Sequence, residues 1–255
     1  MTTNDELRSV YDSGYAAGNT WHTPVDTWEE SLLIHEMGGD WRGKSVLEIG
    51  CGEGRLAALI AMSGAKRVTA IDYAETAISI AKARYNLPNL RYTSDGLDRQ
   101  RHGWDAFIMQ GVLEHQDDWQ AHLSLCLEYV TPGGCLITSS PNHLNPRGYI
   151  WQTLRLLFGV PMSLTDLHAI TPVDMAQFAA EHGLGLTYRS CHHDWAAGAM
   201  LQTDYAHRLP KALADAGLDA CRVPELLAWL AETARFYEPT DWSGATVVYR
   251  LEKTA

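Results

Sequence analysis

The stretch VLEIGCGEGRLA, residues 46–57, places three glycines directly after a run of apolar residues. A dinucleotide-binding loop requires the frame Gly-x-Gly-x-x-Gly, in which the third glycine lets the helix pack closely beneath the pyrophosphate. Gly50 and Gly52 fit that frame, but Arg55 stands where its third glycine belongs, and the third glycine is Gly54. A backbone without side chains can approach a flat or extended ligand closely. The loop therefore predicts a ligand-binding turn that lacks the pyrophosphate frame.

Short β-branched runs and helical patterns alternate on both sides of this loop, which is typical of βαβ units. We therefore expect an α/β fold with a mostly parallel, seven-stranded sheet and helices on both faces. One helical pattern, residues 119–130, is predicted to end at the turn TPGG, where Pro132 and Gly133 stop it. The predicted strands are residues 45–50, 67–72, 90–95, 105–110, 135–141, 184–193 and 245–253.

Three stretches outside this alternation are expected to cover the sheet within a single domain, residues 1–255. Residues 1–40 are predicted to form an N-terminal helical lid. Residues 142–170 form an aromatic-rich connection longer than an ordinary loop and are predicted to be a lid insertion. Residues 194–243 contain helical patterns and are predicted to form a helical cap insertion. Between the two insertions, Thr171 and Pro172 are predicted to begin a helix as its N-cap and first residue.

The overall composition excludes several classes of partner. The chain has 255 residues, 31 acidic against 20 basic side chains and a formal net charge of -11. Such a chain has no broad attraction to nucleic acid or to anionic membrane surfaces. It contains no apolar run of about 20 residues and no N-terminal signal pattern, so we expect a cytoplasmic protein that does not bind membranes. Its five cysteines form no C-x-x-C pair, which favours free thiols packed as small apolar side chains.

Acidic side chains follow the second and third predicted strands. Asp72 lies 22 residues after Gly50, in the window where a carboxylate binds ribose hydroxyls. Asp95, beside Gly96, can accept a hydrogen bond from an exocyclic amine such as that of adenine. The pattern predicts a nucleoside with a free ribose.

The segments VLEIGCGEGR, AIDYAE, TSDGLD, DAFIMQGVLEH and YVTPGGCLITSSPN follow one another in this order. Over about residues 44–142 the chain resembles the class I S-adenosylmethionine-dependent methyltransferases, and among them it is similar to the ubiquinone-biosynthesis-type small-molecule O-methyltransferases. The resemblance implies a Rossmann-like fold, S-adenosyl-L-methionine as cofactor and S-adenosyl-L-homocysteine as product. Its implied cofactor contacts are Glu48, Gly50, Cys51, Gly52 and Gly54 around the methionine portion, Asp72 on the ribose, Tyr73, Asp95 and Gly96 around the adenine, and Gln110 beside the sulfonium.

Aromatic residues near the N-terminus are further candidates for cofactor contacts. Tyr15 and Trp21 are expected to fold over the cofactor, because an aromatic face attracts a sulfonium cation. The alternative is an amphipathic helix that packs on the edge of the sheet.

Histidines are the candidate bases, because a neutral imidazole can take a proton near pH 7. His115 is the leading candidate, and the alternative is that Glu114 and His115 only shape the cofactor pocket or cap the next helix. His143 and His168 are further candidates within the predicted lid, where Asp166 lies near His168. The adjacent His192 and His193 are expected to provide one substrate-facing imidazole or none, since neighbouring residues on a strand face opposite ways.

A metal is not expected. In the relatives that the chain resembles, a further carboxylate precedes the Glu-His pair and helps to hold a divalent metal. This chain has Gly111 at that position.

Three functions remain open at this point. The first is methyl transfer to a small-molecule acceptor, with oxygen as the favoured acceptor atom and with a homodimer allowed. The second is attack on another carbon of the sulfonium, by intramolecular cyclisation or aminocarboxypropyl chemistry that releases methylthioadenosine. The third is a non-catalytic scaffold that binds the cofactor.

Overall fold

Seven strands form one sheet at the centre of the computed structural model, which describes Ser13 and residues 28–160 and 166–254. The strands are β1 (Ser45–Ile49), β2 (Arg67–Ile71), β3 (Leu90–Thr93), β4 (Trp104–Gln110), β5 (Val130–Pro141), β6 (Gly185–Cys191) and β7 (Thr246–Glu252). They lie side by side in the order β3-β2-β1-β4-β5-β7-β6. Strands β1 to β5 pair in parallel, and β7 pairs antiparallel with both β5 and β6. The predicted α/β fold with a mostly parallel, seven-stranded sheet is confirmed.

Helices cover both faces of the sheet. Neighbouring residues of β1 show why: Val46 packs into one apolar cluster and Leu47 into another on the opposite face. A strand buried on both sides needs a continuous apolar run, which is the run that precedes the glycine loop. The helices are α1 (Trp28–Met37), α2 (Arg55–Met62), α3 (Glu75–Arg84), α4 (Trp119–Glu128), α5 (Pro146–Phe158), α6 (Pro172–Glu181), α7 (His193–Ala197), α8 (Ala199–Asp215) and α9 (Val223–Thr233).

The start of β5 differs from the prediction. Helix α4 ends at Glu128, and the segment predicted as the turn TPGG belongs to the first part of the strand. The register between β4 and β5 is irregular there, so that residues 131–134 bulge outward. The N–H of Gly133 donates to Lys253 O at 3.0 Å, and the N–H of Lys253 donates to Gly134 O at 2.9 Å. These bonds hold Gly133, which has a φ of 74°, and Gly134 against the C-terminal end of β7, so the segment predicted as a turn is a bulge within β5.

The start of α6 matches the prediction. The Thr171 side chain accepts a hydrogen bond from the backbone N–H of Asp174, and the Asp174 carboxylate accepts one from the N–H of Thr171. Pro172 occupies the first turn. This reciprocal pair is a capping box, which satisfies two backbone donors that a helix leaves unpaired at its N-terminus.

Residues from the two predicted insertions, 142–170 and 194–243, pack together into one helical layer. Trp151 of α5 lies in an apolar cluster with Leu201 and Tyr205 of α8. A buried ion pair reinforces this contact, because Arg147 Nε donates to Asp204 Oδ2 at 2.9 Å and Asp204 is fully buried. Removing one partner of such a pair would leave an uncompensated charge in the interior. We refer to α5, α8 and α9 as the cap.

Part of the predicted N-terminal lid packs on the sheet. Helix α1 buries Leu33 and Ile34 in the apolar cluster shared with β1 and α2. Residues 28–37, which belong to the predicted lid of residues 1–40, therefore pack against the sheet. Tyr15 and Trp21 lie outside the described residues.

All five cysteines are free thiols, as predicted, and four of them are buried. Within the described residues, no helix is both long and apolar enough to cross a membrane.

Candidate cofactor and acceptor site

The glycine loop between β1 and α2 is held by backbone conformations that favour glycine. Gly50, Gly52 and Gly54 have φ angles of 70°, 50° and 81°. A Cβ on Gly50 would lie 2.4 Å from Val112 Cγ2, and one on Gly54 would lie 2.4 Å from Tyr92 Oη. Protein side chains, and not a ligand, therefore occupy the space directly beside Gly50 and Gly54. Two of the three glycines are needed to build the loop itself.

Two carboxyl groups lie beneath this loop. Burial and the negative charge of Asp72 raise the pKa of Glu48 to about 8, and the backbone N–H of Ala57 partly offsets this shift. Glu48 Oε2 has no hydrogen-bond partner among the described residues. Asp72 Oδ2 accepts a hydrogen bond from the N–H of Gly52 at 2.8 Å, and its Oδ1 accepts one from the N–H of Ala74 at 2.9 Å. Asp72 therefore fixes the loop, and the two acids together can attract a cation.

The residues predicted to surround the adenine lie at the ends of β2 and β3. Tyr73 follows β2 and its side chain is exposed. Asp95 Oδ2 accepts hydrogen bonds from Thr93 Oγ1 at 2.6 Å and from Arg91 Nη2 at 3.3 Å. Gly96 comes next and begins a 3-10 turn. These residues share the sheet edge with Asp72, because the carboxyl ends of parallel strands meet there.

Cys51 lies between two loop glycines but belongs to the core. Its N–H donates to Ile71 O at 3.0 Å, and its side chain is buried in the apolar cluster of α1 and α2. Burial raises the pKa of its thiol well above the ordinary value. Its side chain is therefore a core contact, which leaves its backbone for any contact with the cofactor.

Gln110 ends β4 within a hydrogen-bond network that the sequence did not predict. Ser31 Oγ of α1 donates to Gln110 Oε1 at 3.0 Å, and the N–H of Gly111 donates to Ser139 Oγ at 3.0 Å. The Glu30 carboxyl is hydrogen-bonded to the side chains of both Gln110 and Ser139, while burial raises its pKa. The sequence did not identify Glu30 as a site residue, because acidic side chains are common in the first turn of a helix, where they interact with the helix dipole.

The segment after β4 brings Glu114 and His115 together with Asp166 of the predicted lid. One ligand atom from each of the three side chains lies within 4.8 Å of the other two. His115 Nδ1 is 3.4 Å from Asp166 Oδ1. Burial and the charge of Asp166 raise the pKa of Glu114 well above its ordinary value. We call these three residues the acidic triad, and their oxygen and imidazole atoms are the ligand types that divalent cations take in proteins.

Backbone hydrogen bonds hold the lid segment on this triad. The N–H groups of Leu167 and His168 both donate to Glu114 O, at 2.9 and 3.2 Å. His168 Nε2 is 2.9 Å from Gln116 O and 3.2 Å from Asp117 O. That ring nitrogen therefore anchors the segment, which limits the part His168 can take in catalysis to its other nitrogen.

His143, the third histidine predicted to be catalytic, lies just before α5, the first helix of the cap. Burial, with the charges of Arg147 and Arg155, lowers the pKa of its imidazole to about 4. A Cβ on Gly148 would lie 2.2 Å from His143 Cα, so the two backbone segments are in tight contact. His143 is therefore neutral at pH 7 and is not one of the three residues of the acidic triad.

His192 is the one non-glycine residue with a positive φ, 59°, among the described residues. Such a conformation costs about 1 to 2 kcal/mol and often occurs at functional sites. Its N–H donates to Glu29 Oε1 at 3.0 Å, and its Nδ1 is 3.1 Å from Thr246 Oγ1. Its Nε2 is buried and has no partner in the described part of the chain. His192 therefore stays a candidate for the predicted substrate-facing imidazole.

A family profile described as a methyltransferase domain matches residues 46–134. The ubiquinone biosynthesis O-methyltransferase of Neisseria meningitidis serogroup C (strain 053442) is 32% identical over 166 residues, which are 58% of this chain and 69% of that protein. The chain belongs to the S-adenosylmethionine-dependent methyltransferases. The enzyme of the same name from Nitrosospira multiformis is 30% identical over 179 residues, 64% of this chain and 74% of that protein.

Solved structures agree on the fold of this methyltransferase. A complex titled DhpI-SAM-HEP has a TM-score of 0.58 at 20% identity and covers 74% of this chain and 94% of its own. The [4+2]-cyclase SpnF has a TM-score of 0.63 at 17% identity, with coverage of 99% and 97%. At these identities the likeness shows the Rossmann-like fold alone. The family nevertheless establishes that the protein is an enzyme and that its cofactor is S-adenosylmethionine.

Proposed function

We propose that the enzyme transfers the methyl group of S-adenosylmethionine to an oxygen atom of a small-molecule acceptor. The observation that carries the proposal is the 3.4 Å contact between His115 Nδ1 and Asp166 Oδ1 at the carboxyl end of β4. A hydroxyl acceptor holds its proton at neutral pH and needs a base, and an imidazole oriented by a carboxylate is such a base. The name of the relatives, O-methyltransferase, supports oxygen as the acceptor atom.

The cofactor is proposed to lie along the carboxyl edge of the sheet. In this arrangement Glu48 attracts the ammonium group, Asp72 accepts hydrogen bonds from the ribose hydroxyls, and Gln110 lies beside the sulfonium. Tyr15 and Trp21 are proposed to close over it. The remaining proposed contacts are Gly50, Cys51, Gly52 and Gly54 around the methionine portion, and Tyr73, Asp95 and Gly96 around the adenine.

The proposed reaction is an in-line displacement on carbon. The acceptor oxygen forms a bond to the methyl carbon while the carbon–sulfur bond breaks. The electron pair of the broken bond moves to sulfur and gives neutral S-adenosylhomocysteine. The acceptor proton passes to His115, whose imidazolium is stabilised by Asp166. Since the methyl carbon is already activated by the positive sulfonium, most of the remaining catalysis is the positioning of donor and acceptor.

We also propose that the enzyme acts on a small molecule and does not bind nucleic acid. The net charge of -11 favours a small molecule over nucleic acid, because phosphate backbones are repelled. A homodimer and a cytoplasmic location stay predictions of the sequence.

Product analysis tests the proposal against the other sulfonium chemistry. The enzyme is incubated with S-adenosylmethionine and a panel of phenols, catechols and aliphatic alcohols, and nucleoside products are quantified by liquid chromatography. We expect S-adenosylhomocysteine in equal amount to a methylated acceptor, and none above background when the acceptor is omitted. Methylthioadenosine as the main product would show that another carbon is attacked.

A further inference from the structure

His192 carries a buried ring nitrogen whose hydrogen bonding is incomplete. The residue is 5% exposed, and its Nε2 has no hydrogen-bond partner among the described residues. Its backbone is fixed, because the N–H donates to Glu29 while the carbonyl accepts from the N–H groups of Trp195 and Ala245 at 3.1 and 3.3 Å. A buried polar atom that has lost its hydration is costly unless a partner replaces the water. A ligand can supply the partner that Nε2 needs.

The other ring nitrogen of His192 indicates what kind of partner this is. Nδ1 lies 3.1 Å from Thr246 Oγ1 and 3.7 Å from Cys191 Sγ, and both of these groups can donate a hydrogen bond. Donation to Nδ1 favours the tautomer that carries its proton on Nε2. In this tautomer Nε2 donates, so its partner must offer a lone pair.

The Glu30 carboxyl lies close to His192 without bonding to Nε2. Its negative charge interacts favourably with the imidazole, while its own hydrogen bonds are made to other side chains. Burial and the charge of Asp166 raise the pKa of Glu114, and the charge of Glu30 adds to this shift. Glu30 is therefore close both to His192 and to Glu114, the residue that precedes the proposed base His115.

The sheet sets the distance between His192 and the proposed base. Strands β4, β5 and β6 run in the same direction, since β4 and β5 pair in parallel while β7 is antiparallel to both β5 and β6. His192 follows β6 and His115 follows β4, so both lie at the carboxyl edge. With β5 and β7 between them, the two strand ends are about 14 Å apart. The two imidazoles close only part of this span.

We propose that His192 and Glu30 form a second acceptor subsite, which binds a hydroxyl group of the acceptor several bonds away from the oxygen that is methylated beside His115. A hydroxyl offers a lone pair to the N–H of His192 and its own proton to the Glu30 carboxyl. An ammonium group has no lone pair for Nε2, and a carboxylate is repelled by Glu30. The inference rests on the proposed function and narrows its acceptor to small molecules that carry two separated hydroxyl groups.

Calorimetry with matched phenols tests this subsite on the full chain saturated with S-adenosylhomocysteine. The probes are 4-alkylphenols of increasing chain length, each paired with the phenol that carries a terminal hydroxyl on the same chain. For the chain length that spans the site, we expect the terminal hydroxyl to tighten binding to the wild type by about tenfold, because it adds hydrogen bonds to buried groups.

His192→Asn removes Nε2 and keeps the local structure. The new amide takes the place of Nδ1 beside Thr246, and asparagine tolerates the left-handed backbone of residue 192. We expect this variant to lose the tenfold gain, and His192→Gln, whose amide reaches the position of Nε2, to keep part of it. His207→Asn is the matched control, since His207 is exposed on α8. Unchanged S-adenosylhomocysteine affinity of His192→Asn confirms that this variant is folded.

Nitrogen NMR of histidine-labelled enzyme gives a readout that a purely structural role of His192 would not move. The Nε2 signal of His192, assigned by its loss in His192→Asn, is expected to shift with the hydroxyalkylphenol and not with the alkylphenol. The inference is overturned if the terminal hydroxyl never tightens binding to the wild type, or if His192→Asn keeps the gain. Methyl ethers formed from the alkylphenols without any such gain would overturn the subsite and leave the proposed function standing, whereas the gain without any methyl ether would do the reverse.

Discussion

Replacing Asp72 with alanine is expected to weaken the binding of S-adenosylmethionine by about 100-fold, or about 3 kcal/mol. Hydrogen bonds to a charged group contribute about 1.5 to 3 kcal/mol each, and the ribose diol offers two donors. The substitution also releases the N–H groups of Gly52 and Ala74, which Asp72 holds at 2.8 and 2.9 Å. Both effects act on the same site, so the loss of affinity is measured directly by calorimetry.

The matched control for this prediction is Asp98→Ala. Asp98 is an exposed acid after β3, near the proposed adenine site but outside the glycine loop. Its substitution removes the same charge from the same edge of the sheet, and we expect cofactor affinity to stay within about twofold. If Asp72→Ala also stays within twofold while both variants are folded, the proposed role of Asp72 on the ribose is wrong.

Replacing His115 with alanine is expected to lower the turnover number by about 100- to 1,000-fold. A positioned base contributes about 10²- to 10⁴-fold to a proton-transfer reaction, and the His115 imidazole is the group paired with Asp166 after β4. The loss should fall on the turnover number rather than on cofactor affinity, because His115 is not among the proposed cofactor contacts. Steady-state kinetics together with calorimetry separate the two quantities.

His207→Asn provides the control for this variant. His207 is exposed on α8 in the cap, so the substitution removes an imidazole without touching the acidic triad. We expect its turnover number to match that of the wild type. A His115→Ala enzyme that retains more than a third of wild-type turnover would show that His115 is not the base.

The parts of the site that could be predicted lie within contiguous sequence. Residues 46–57 alone predict the order of strand, glycine loop and helix, and Asp72 follows the next strand directly. Because parallel strands end at one edge of the sheet, the glycine loop and Asp72 lie close together whatever the path of the rest of the chain. The same reasoning correctly predicted the seven strands and the helix that begins at Thr171 and Pro172.

The other parts of the site depend on how segments that are far apart in the sequence pack against the sheet. Asp166 reaches His115 because the lid segment is hydrogen-bonded to Glu114 O, and no local pattern encodes that contact. Glu30 reaches Gln110 because α1 packs on the sheet face, although its sequence reads as an ordinary first turn. The sequence analysis considered only a ligand beside the loop glycines, whereas side chains from β3 and from the segment after β4 crowd Gly54 and Gly50.

The most direct test of the proposed methyl transfer to oxygen uses S-adenosylmethionine labelled with carbon-13 in its methyl group. The enzyme is incubated with the acceptor that gives the most S-adenosylhomocysteine, and carbon NMR identifies the atom that carries the label. The predicted result is a labelled methyl ether or ester, in equal amount to S-adenosylhomocysteine. A label bonded to nitrogen or carbon, or retained in methylthioadenosine, would contradict it.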